Sequence, residues 1–297
     1  MPSVNVLIQT IIGGIGIGSL YALVALGTTM TYRSMGLINF AHGSIYMVGT
    51  YLGIIWYRGM VLGLNVPFPI AFIIGVLLNA FLGFFLERVF RPLADVDMRN
   101  MLLGTIGLGF ILDNLMVIFF GAEGFAVDSP LPMKPLIIAG IKFLPQNIMF
   151  FTVAAILVVC LQLFLSKSKF GKAMRASAMD REIARAMGIP VNKMNAITFA
   201  IGAGLAAAAG ILAAPIVYVN PAMGAAVGQK GFASAVLGGL GNIPGAIVGG
   251  LLFGVFEAIS AGFISSAYTK GIAFIVLLVI LMFKPSGILG EKIIEKV

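Results

Sequence analysis

Long apolar runs separated by short polar stretches dominate this chain. Runs without Asp, Glu, Lys or Arg occupy about residues 6–32, 37–57, 68–86, 148–165 and 194–219. Two more runs, about 101–120 and 243–263, carry one acidic residue each, and a shorter final run at 267–283 carries one Lys. An α-helix needs roughly 20 apolar residues to cross the hydrocarbon of a membrane, whereas a barrel strand needs roughly ten in alternation. The pattern therefore predicts membrane-spanning helices.

The composition agrees with this pattern. Hydrophobic residues make up 60% of the chain, charged residues only 10%, and the mean hydropathy is +1.08. So little polar surface cannot cover a water-soluble globule of this length. We expect an all-α integral membrane protein, a polytopic bundle of about 8 to 10 spanning or discontinuous helices, in one transmembrane domain at 1–297. No Lys or Arg precedes the first run and a second run follows at once, so we expect the first run to remain in the mature protein.

The net charge of +8 becomes informative once it is located along the chain. Seven Lys or Arg residues lie within 166–193 against two acids. Because cytoplasmic loops carry an excess of Lys and Arg, this loop is predicted to be cytoplasmic. The same rule places Arg33, Arg99 and the tail 284–297 inside, which puts the N-terminus outside. We expect a multi-pass protein of a bacterial-type plasma (inner) membrane, with no domain outside the lipid bilayer that is large enough to bind nucleic acid.

The stretch between residues 218 and 243 is interrupted by Pro221, by several glycines and by Lys230. Broken segments at membrane depth are tolerated where they face protein or a water-filled cavity, and they often mark a transport path. We therefore expect a discontinuous helix here; the alternative is a long outer loop with a short core-buried helix. Glycines four residues apart predict close helix packing. They are Gly14/Gly18, Gly49/Gly53, Gly241/Gly245/Gly249 and Gly250/Gly254.

The sequence offers little support for an enzyme. It contains no GxxxxGK[ST] motif, so we expect no ATP site in this chain. The stretch GAGLAA at 202–207 meets a loose dinucleotide-binding pattern, but it lies within an apolar run and follows no predicted strand. The single His and single Cys exclude a metal site built from these residue types. We therefore expect no cofactor and no metal bound by this chain, and a role in transport or structure.

Isolated polar residues within the apolar runs are the remaining candidates for chemistry. A charge there, such as Asp113 or Glu257, costs about 2.5 kcal/mol or more unless it faces the bundle interior, pairs or is protonated. Each acid either lines a path or bonds one helix to another, and the sequence leaves both roles open. For Asn39, His42 and Asn114, helix-to-helix bonding is the more common role. With two residues of the broken segment, the candidate substrate path is Asn39, His42, Asp113, Asn114, Gly239, Asn242 and Glu257.

Residues 166–193 are predicted to form one or two short helices that end at Gly188 and Pro190. A basic amphipathic helix can lie on a lipid surface, where Lys and Arg meet anionic headgroups. Such helices usually bury Trp, Phe and Leu, whereas the apolar residues here are mainly Ala and Met. Small apolar residues surrounded by charge suit a protein socket better.

Three stretches of the chain carry a family resemblance. The run FGKAMRASAMDREIARAMGIP, from Phe170, resembles the cytoplasmic coupling segment of permease subunits of ATP-binding-cassette importers and keeps the A-x-x-x-G-I core at 184–189. It lacks the Glu-Ala-Ala start of the wider superfamily. GLINFAHGSIYMVGTYLG at 36–53 and VLGGLGNIPGAIVGGLLFG at 236–254, with KPSGILG at 284–290, are similar to the branched-chain amino acid permease family.

The resemblance implies a division of labour between subunits. This chain would pair with a second, related permease subunit, two cytoplasmic ATPase subunits would use ATP and Mg, and an external binding protein would deliver substrate. It implies coupling residues at Phe170, Gly171, Arg175, Asp180, Arg181, Ala184, Gly188 and Ile189. The expected cargo is leucine, isoleucine, valine or a related small amino acid. Alternatives are a permease for urea or short amides, an ion-coupled transporter that uses Asp113 or Glu257, and a structural membrane scaffold.

Overall fold

The computed structural model describes residues 4–60, 63–94, 98–132, 134–138, 141–264 and 268–290. The helices in this part of the chain are α1 (Val4–Met35), α2 (His42–Tyr57), α3 (Phe68–Ala94), α4 (Met98–Phe120), α5 (Pro145–Lys167), α6 (Lys169–Met179), α7 (Arg181–Ala186), α8 (Val191–Ala213), α9 (Met223–Gly238), α10 (Ile243–Ile259) and α11 (Thr269–Phe283). α10 continues as a π-helical turn, Ser260–Ile264, and two antiparallel strands, β1 (Leu136–Ile138) and β2 (Ile141–Phe143), precede α5. Residues 291–297 of the predicted tail lie outside the described residues.

These elements confirm the predicted all-α membrane bundle. Within the described residues, six helices are long and apolar enough to cross a membrane: α1, α3, α4, α5, α8 and α10 with its π-turn. α2 and α9 are shorter, with 16 residues each, and α11 has 15. α6 and α7, with 11 and 6 residues, occupy the predicted basic loop and are not among the apolar spans.

Small residues set the distance between the central helices. Gly14 and Gly18 of α1 face Gly250 and Gly254 of α10, and a Cβ on Gly18 would come within 2.9 Å of the Gly250 carbonyl oxygen. Side chains at these positions would push the two helices apart. Their absence lets the backbones approach and gain dispersion contacts, which drive helix association in lipid. The predicted packing role of these four glycines is confirmed.

The central helices follow an approximate two-fold symmetry. α1 packs most extensively against α10, and α3 against α8; α2 packs against α3 and α8, and α9 against α10 and α1. α1 also contacts α8, and α2 contacts α9. Exchanging α1, α2 and α3 for α8, α9 and α10 therefore leaves these neighbours unchanged. Because α1 runs toward the side that carries α6 and α7 while α8 runs away from it, the two triplets form an inverted repeat.

The segment 218–243 crosses the bundle as one helix with irregular flanks. Val219, before α9, forms a bridge with Phe125, which follows the end of α4 on the side opposite α6 and α7. Gly241, after α9, lies beside Tyr32, near the C-terminal end of α1. A Cβ added to Gly241 would be 3.7 Å from the Tyr32 ring. Within the described residues this segment holds one continuous helix, not the discontinuous helix that the sequence predicts, because the irregular stretch at Pro221 lies before the helix rather than within it.

Candidate functional site

A cavity of 240 Å³ lies where α2 and α9 begin, bounded also by α1 and α4. Three of the predicted path residues line it: Asn39, His42 and Asp113. Much of the remaining wall is apolar and includes the rings of Phe40, Phe110 and Phe232. A mainly apolar cavity with a few converging polar groups is the usual composition of a small-molecule site.

The two helices that begin at this cavity share one sequence pattern. N-F-A-H-G at 39–43 leads into α2, and N-P-A-M-G at 220–224 leads into α9. In both, the Asn Oδ1 accepts a hydrogen bond from the N–H two residues later, at 3.0 Å. The Asn carbonyl accepts from the N–H three residues later, at 3.2 Å before α2 and 3.1 Å before α9. Such Asx turns define where a helix starts. The repeated N-x-A-x-G was visible in the sequence, but our sequence reasoning missed it and so missed Asn220.

Glycine at the fifth position of the pattern lets the two helix starts touch. A Cβ on Gly224 would lie 2.6 Å from the Gly43 carbonyl oxygen, and a Cβ on Gly43 would overlap the Gly224 carbonyl. Gly228, one turn later, also faces Gly43, with 2.8 Å between its added Cβ and the Gly43 Cα. The first N–H groups of a helix lack a partner within it and carry partial positive charge. Two such helix ends therefore meet at one cavity.

Three polar atoms of the cavity residues have no hydrogen-bond partner among the described residues: Asn39 Nδ2, His42 Nε2 and Asp113 Oδ1. Asn39 and His42 are each only 3% exposed. His42 Nε2 points at Gly27 of α1, whereas Asn39 offers a free donor and Asp113 a free acceptor. A buried polar group without a partner costs about 1 to 3 kcal/mol, so such groups are rare in proteins. The free donor of Asn39 and the free acceptor of Asp113, both on residues that line one cavity, are typical of a site for a polar ligand.

The other predicted path residues lie elsewhere. Asn114 faces outward from α4, and its side chain bonds to a carbonyl one turn earlier in the same helix. Asn242 starts α10 by accepting a hydrogen bond from the Gly245 N–H, and its Nδ2 donates to the Leu289 carbonyl, both at 2.8 Å. Gly239 follows α9 with a φ of +109° and packs against the same segment after α11. Gly239 and Asn242 thus hold the KPSGILG segment against the bundle.

Glu257 belongs to a tie among three helices, away from the cavity. Lys230 of α9 donates to Glu257 Oε1 at 2.5 Å, and the Tyr21 hydroxyl of α1 donates to Oε2 at 2.7 Å. Lys230 Nζ also donates to the Tyr21 hydroxyl oxygen, at 2.9 Å. Of the two roles that the sequence leaves open for Glu257, this geometry favours helix-to-helix bonding.

Asn79 of α3 ties together three helices, and exchange of the repeats pairs these three with α10, α9 and α1. Its Nδ2 donates to the carbonyl of Ile45 in α2, at 3.1 Å, and to that of Ala203 in α8, at 2.7 Å. Exchange of the two repeats converts the α3–α2–α8 tie into the α10–α9–α1 tie. One repeat thus ties these helices through a neutral amide and the other through an ion pair.

Capping residues shape the basic segment into two short helices. Ser168 Oγ accepts from the Gly171 N–H at 2.8 Å and so starts α6. Asp180 Oδ1 accepts from the N–H groups of Glu182 and Ile183 in α7, both at 2.9 Å. Gly188, with a φ of +80°, ends α7, and the N–H groups of Gly188 and Ile189 donate to earlier carbonyls at 2.9 Å each. This is a Schellman ending. The predicted helix end at Gly188 is confirmed.

Arg181 faces into the protein rather than outward. Its Nη2 donates to the Ser34 carbonyl at the end of α1, at 2.6 Å. The Ser34 hydroxyl in turn donates to Asn195 Oδ1 of α8, at 2.7 Å. α7 is thereby fixed to the ends of both α1 and α8. Because Asn39 follows Ser34 by only five residues, this contact joins the basic segment to the start of the cavity.

The outward surface of α6 and α7 is apolar at four positions. We call this surface the docking face; it consists of Phe170, Met179, Ile183 and Met187, exposed by 50%, 80%, 63% and 77%. Of the predicted coupling residues, Arg175, Asp180 and Gly188 are also exposed, whereas Gly171, Ala184 and Ile189 pack inward. Sequence reasoning missed Met179 and Ile183, and it counted Met187 among the apolar residues of the segment but not among the coupling residues. The spacing of Ile183 and Met187, four residues apart, was the signal that they share a face.

Apolar spanning helices, an inverted repeat and a mainly apolar cavity with a few polar groups between two helix starts are together the features of a multi-pass membrane permease. The chain belongs to the family of branched-chain amino acid transport system permease components, whose model matches residues 10–281. The predicted class, a transport permease, is confirmed by this match.

Curated relatives cover the chain almost end to end. The high-affinity branched-chain amino acid transport system permease protein BraD of Pseudomonas aeruginosa is 38% identical over 100% of both chains. The corresponding protein LivH of Escherichia coli is 34% identical over 98% of this chain and 97% of its own. A solved structure, PsaBC from Streptococcus pneumoniae in complex with Fab, is 16% identical with a TM-score of 0.46, over 95% and 91% of the two chains.

Proposed function

We propose that this chain forms half of the path of an ATP-binding-cassette importer for branched-chain or related small amino acids. The names of BraD and LivH support this class of cargo. In this proposal a second, related permease subunit supplies the other half of the path. Two cytoplasmic ATPase subunits use ATP and Mg, and an external binding protein delivers the amino acid. The chain itself binds no cofactor. It lies in a bacterial-type inner membrane with its N-terminus outside and its C-terminus in the cytoplasm.

The docking face is the observation that carries the coupling part of this proposal. Its four apolar side chains are exposed and lie on or directly after α6 and α7, outside the apolar spans. Exposed apolar patches rimmed by charge are typical of protein interaction sites. Arg175 and Arg185 flank this patch and are exposed as well. The contact between Arg181 and Ser34 then transmits any movement of α7 to α1.

A single charge on the docking face tests the coupling. Met187→Glu is expected to abolish co-purification of the ATPase subunits, because a buried carboxylate without a partner is costly at an apolar interface. Met60→Glu is the matched control, since Met60 is also exposed but follows α2 on the opposite side of the bundle. The measurements are co-purification of the ATPase subunits, and ATP hydrolysis and amino acid uptake by the reconstituted complex with binding protein and ligand. Normal coupling in Met187→Glu would contradict the proposed docking.

The variant Gly188→Leu distinguishes docking of this segment on a protein from docking on a lipid surface. The left-handed conformation of Gly188 costs a side chain about 1 to 2 kcal/mol, and the bulky residue is expected to lower stimulated ATP hydrolysis and uptake together. On a lipid surface the added apolar area would strengthen membrane contact and leave transport normal. Uptake that follows an imposed proton gradient without ATP would instead replace the importer with an ion-coupled transporter.

A further inference from the structure

The cavity at the starts of α2 and α9 carries an inference that rests on the proposed function and specifies its ligand chemistry. We propose that this cavity binds a free α-amino acid as a zwitterion. The carboxylate lies at the two helix starts beside Asn39, and the ammonium lies at Asp113. Neither the family match nor the relatives' names assign a binding residue.

The donors for a carboxylate converge from both repeats. The N–H groups of Gly43 and Ser44 in α2, and of Gly224 and Ala225 in α9, belong to residues that line the cavity and find no acceptor among the described residues. Helix N-termini favour anions because their free N–H groups and aligned dipoles point at the ligand. Asn39 adds a second, independent donor, since its Nδ2 is buried and unpaired while its Oδ1 already serves the turn.

The acceptor for an ammonium comes from a different helix. Asp113 lies on α4, lines the same cavity and leaves Oδ1 without a partner among the described residues. The ion pairs between described residues do not include it, so no cation of the described chain occupies this carboxylate. A carboxylate at membrane depth is stable when a cation pairs with it, and an amino acid brings one.

The two repeats have the same backbone turn before α2 and α9, but they differ in whether the side-chain amide of the Asn is free to donate a hydrogen bond. Asn220 stands where symmetry repeats Asn39, and its Oδ1 makes the same turn. Its Nδ2, however, donates to the Tyr218 carbonyl at 3.1 Å, and Asn220 does not line the cavity. Only the first repeat therefore presents a free amide to a ligand. This difference provides a matched pair of variants, because Asn→Asp preserves the Oδ1 turn at both positions and removes a free donor at only one.

The test uses the permease–ATPase complex in nanodiscs without binding protein, so that any preference among ligands comes from the permease alone. Binding of leucine is compared with that of 4-methylpentanoate, which lacks the ammonium, and 3-methylbutylamine, which lacks the carboxylate, by saturation-transfer NMR. Leucine is expected to bind about tenfold or more tightly than either analogue, since each charged contact is worth at least that factor.

Two variants distinguish the two ends of the ligand. Asp113→Asn is expected to weaken leucine binding by about tenfold or more and to leave the affinity for 4-methylpentanoate unchanged. Asn39→Asp is expected to weaken the binding of leucine and of 4-methylpentanoate, which both carry a carboxylate, and to leave the binding of 3-methylbutylamine unchanged. Asn220→Asp and Asn114→Ala are expected to bind leucine within about twofold of the wild-type affinity. A merely structural role would weaken all three ligands alike, and that result would overturn the inference.

The same complex separates failure of the site from failure of the proposed function. Wild-type leucine affinity in Asp113→Asn, together with ATP-driven leucine uptake by the wild type, overturns the zwitterion site and leaves the importer intact. A wild-type complex that hydrolyses ATP yet imports no amino acid overturns the proposed function, and the site assignment fails with it.

Discussion

Lys230→Met is expected to destabilise the protein by about 3 to 5 kcal/mol, because it leaves the Glu257 carboxylate buried without its cation. The side chains of both residues are only 16% exposed, so water replaces little of the lost interaction. Tyr21 still donates one hydrogen bond to the carboxylate but brings no charge. Glu257→Gln is expected to destabilise the protein as well, because it leaves the Lys230 ammonium without its carboxylate. The double variant removes both charges and keeps the size of both side chains, so it is expected to recover most of the loss.

The assay is the melting temperature of the purified protein in nanodiscs, followed by intrinsic fluorescence. For a chain of this size, 1 kcal/mol corresponds to about 2 °C, so Lys230→Met is expected to melt about 6 to 10 °C lower. The double variant is expected within about 3 °C of wild type, which corresponds to a coupling energy of about 2 kcal/mol or more. A double variant whose loss equals the sum of the single losses would refute the pairing and the closed tie.

Three further outcomes follow from described contacts. In a Cys160→Ala background, an impermeant thiol reagent on intact cells should label cysteine placed at Glu123 and spare cysteine placed at Ser168; labelling at Ser168 would reverse the orientation. Asn79→Leu should lower stability by about 1 to 2 kcal/mol through loss of two interhelical hydrogen bonds, and an unchanged melting temperature would contradict the symmetric tie. Arg181→Met should leave ATPase co-purification intact but reduce uptake per ATP hydrolysed, whereas loss of co-purification would place Arg181 in the docking contact.

The sequence predicted the helices well because apolar length is set by the membrane itself. It predicted the short helices of the basic segment and their end at Gly188 because capping chemistry is local. It also selected Asn39, His42 and Asp113, which the fold brings to one cavity. These three are polar groups in apolar surroundings, and the cost of burial already indicates that something must meet them.

The sequence could not separate these residues from Glu257, since all of them are polar groups inside spans. Glu257 finds Lys230 only because α9 and α10 pack side by side, a contact that depends on the fold. Arg181 was expected to meet a partner subunit as an exposed charge, and it turns inward because the end of α1 lies beneath α7. The partners of Glu257 and Arg181 both depend on packing between distant parts of the chain, and no local sequence pattern predicts such packing.

The inverted repeat has an energetic consequence for a protein that must open to either side of a membrane. Turning the molecule over exchanges its two halves, so contacts that break when one side opens are replaced by similar contacts on the other side. The outward-open and inward-open states are therefore expected to lie close in free energy, and a small bias suffices to change their populations. The two repeats are tied unequally, by an amide at Asn79 and by an ion pair at Lys230, so the two states are expected to be close but not equal in free energy.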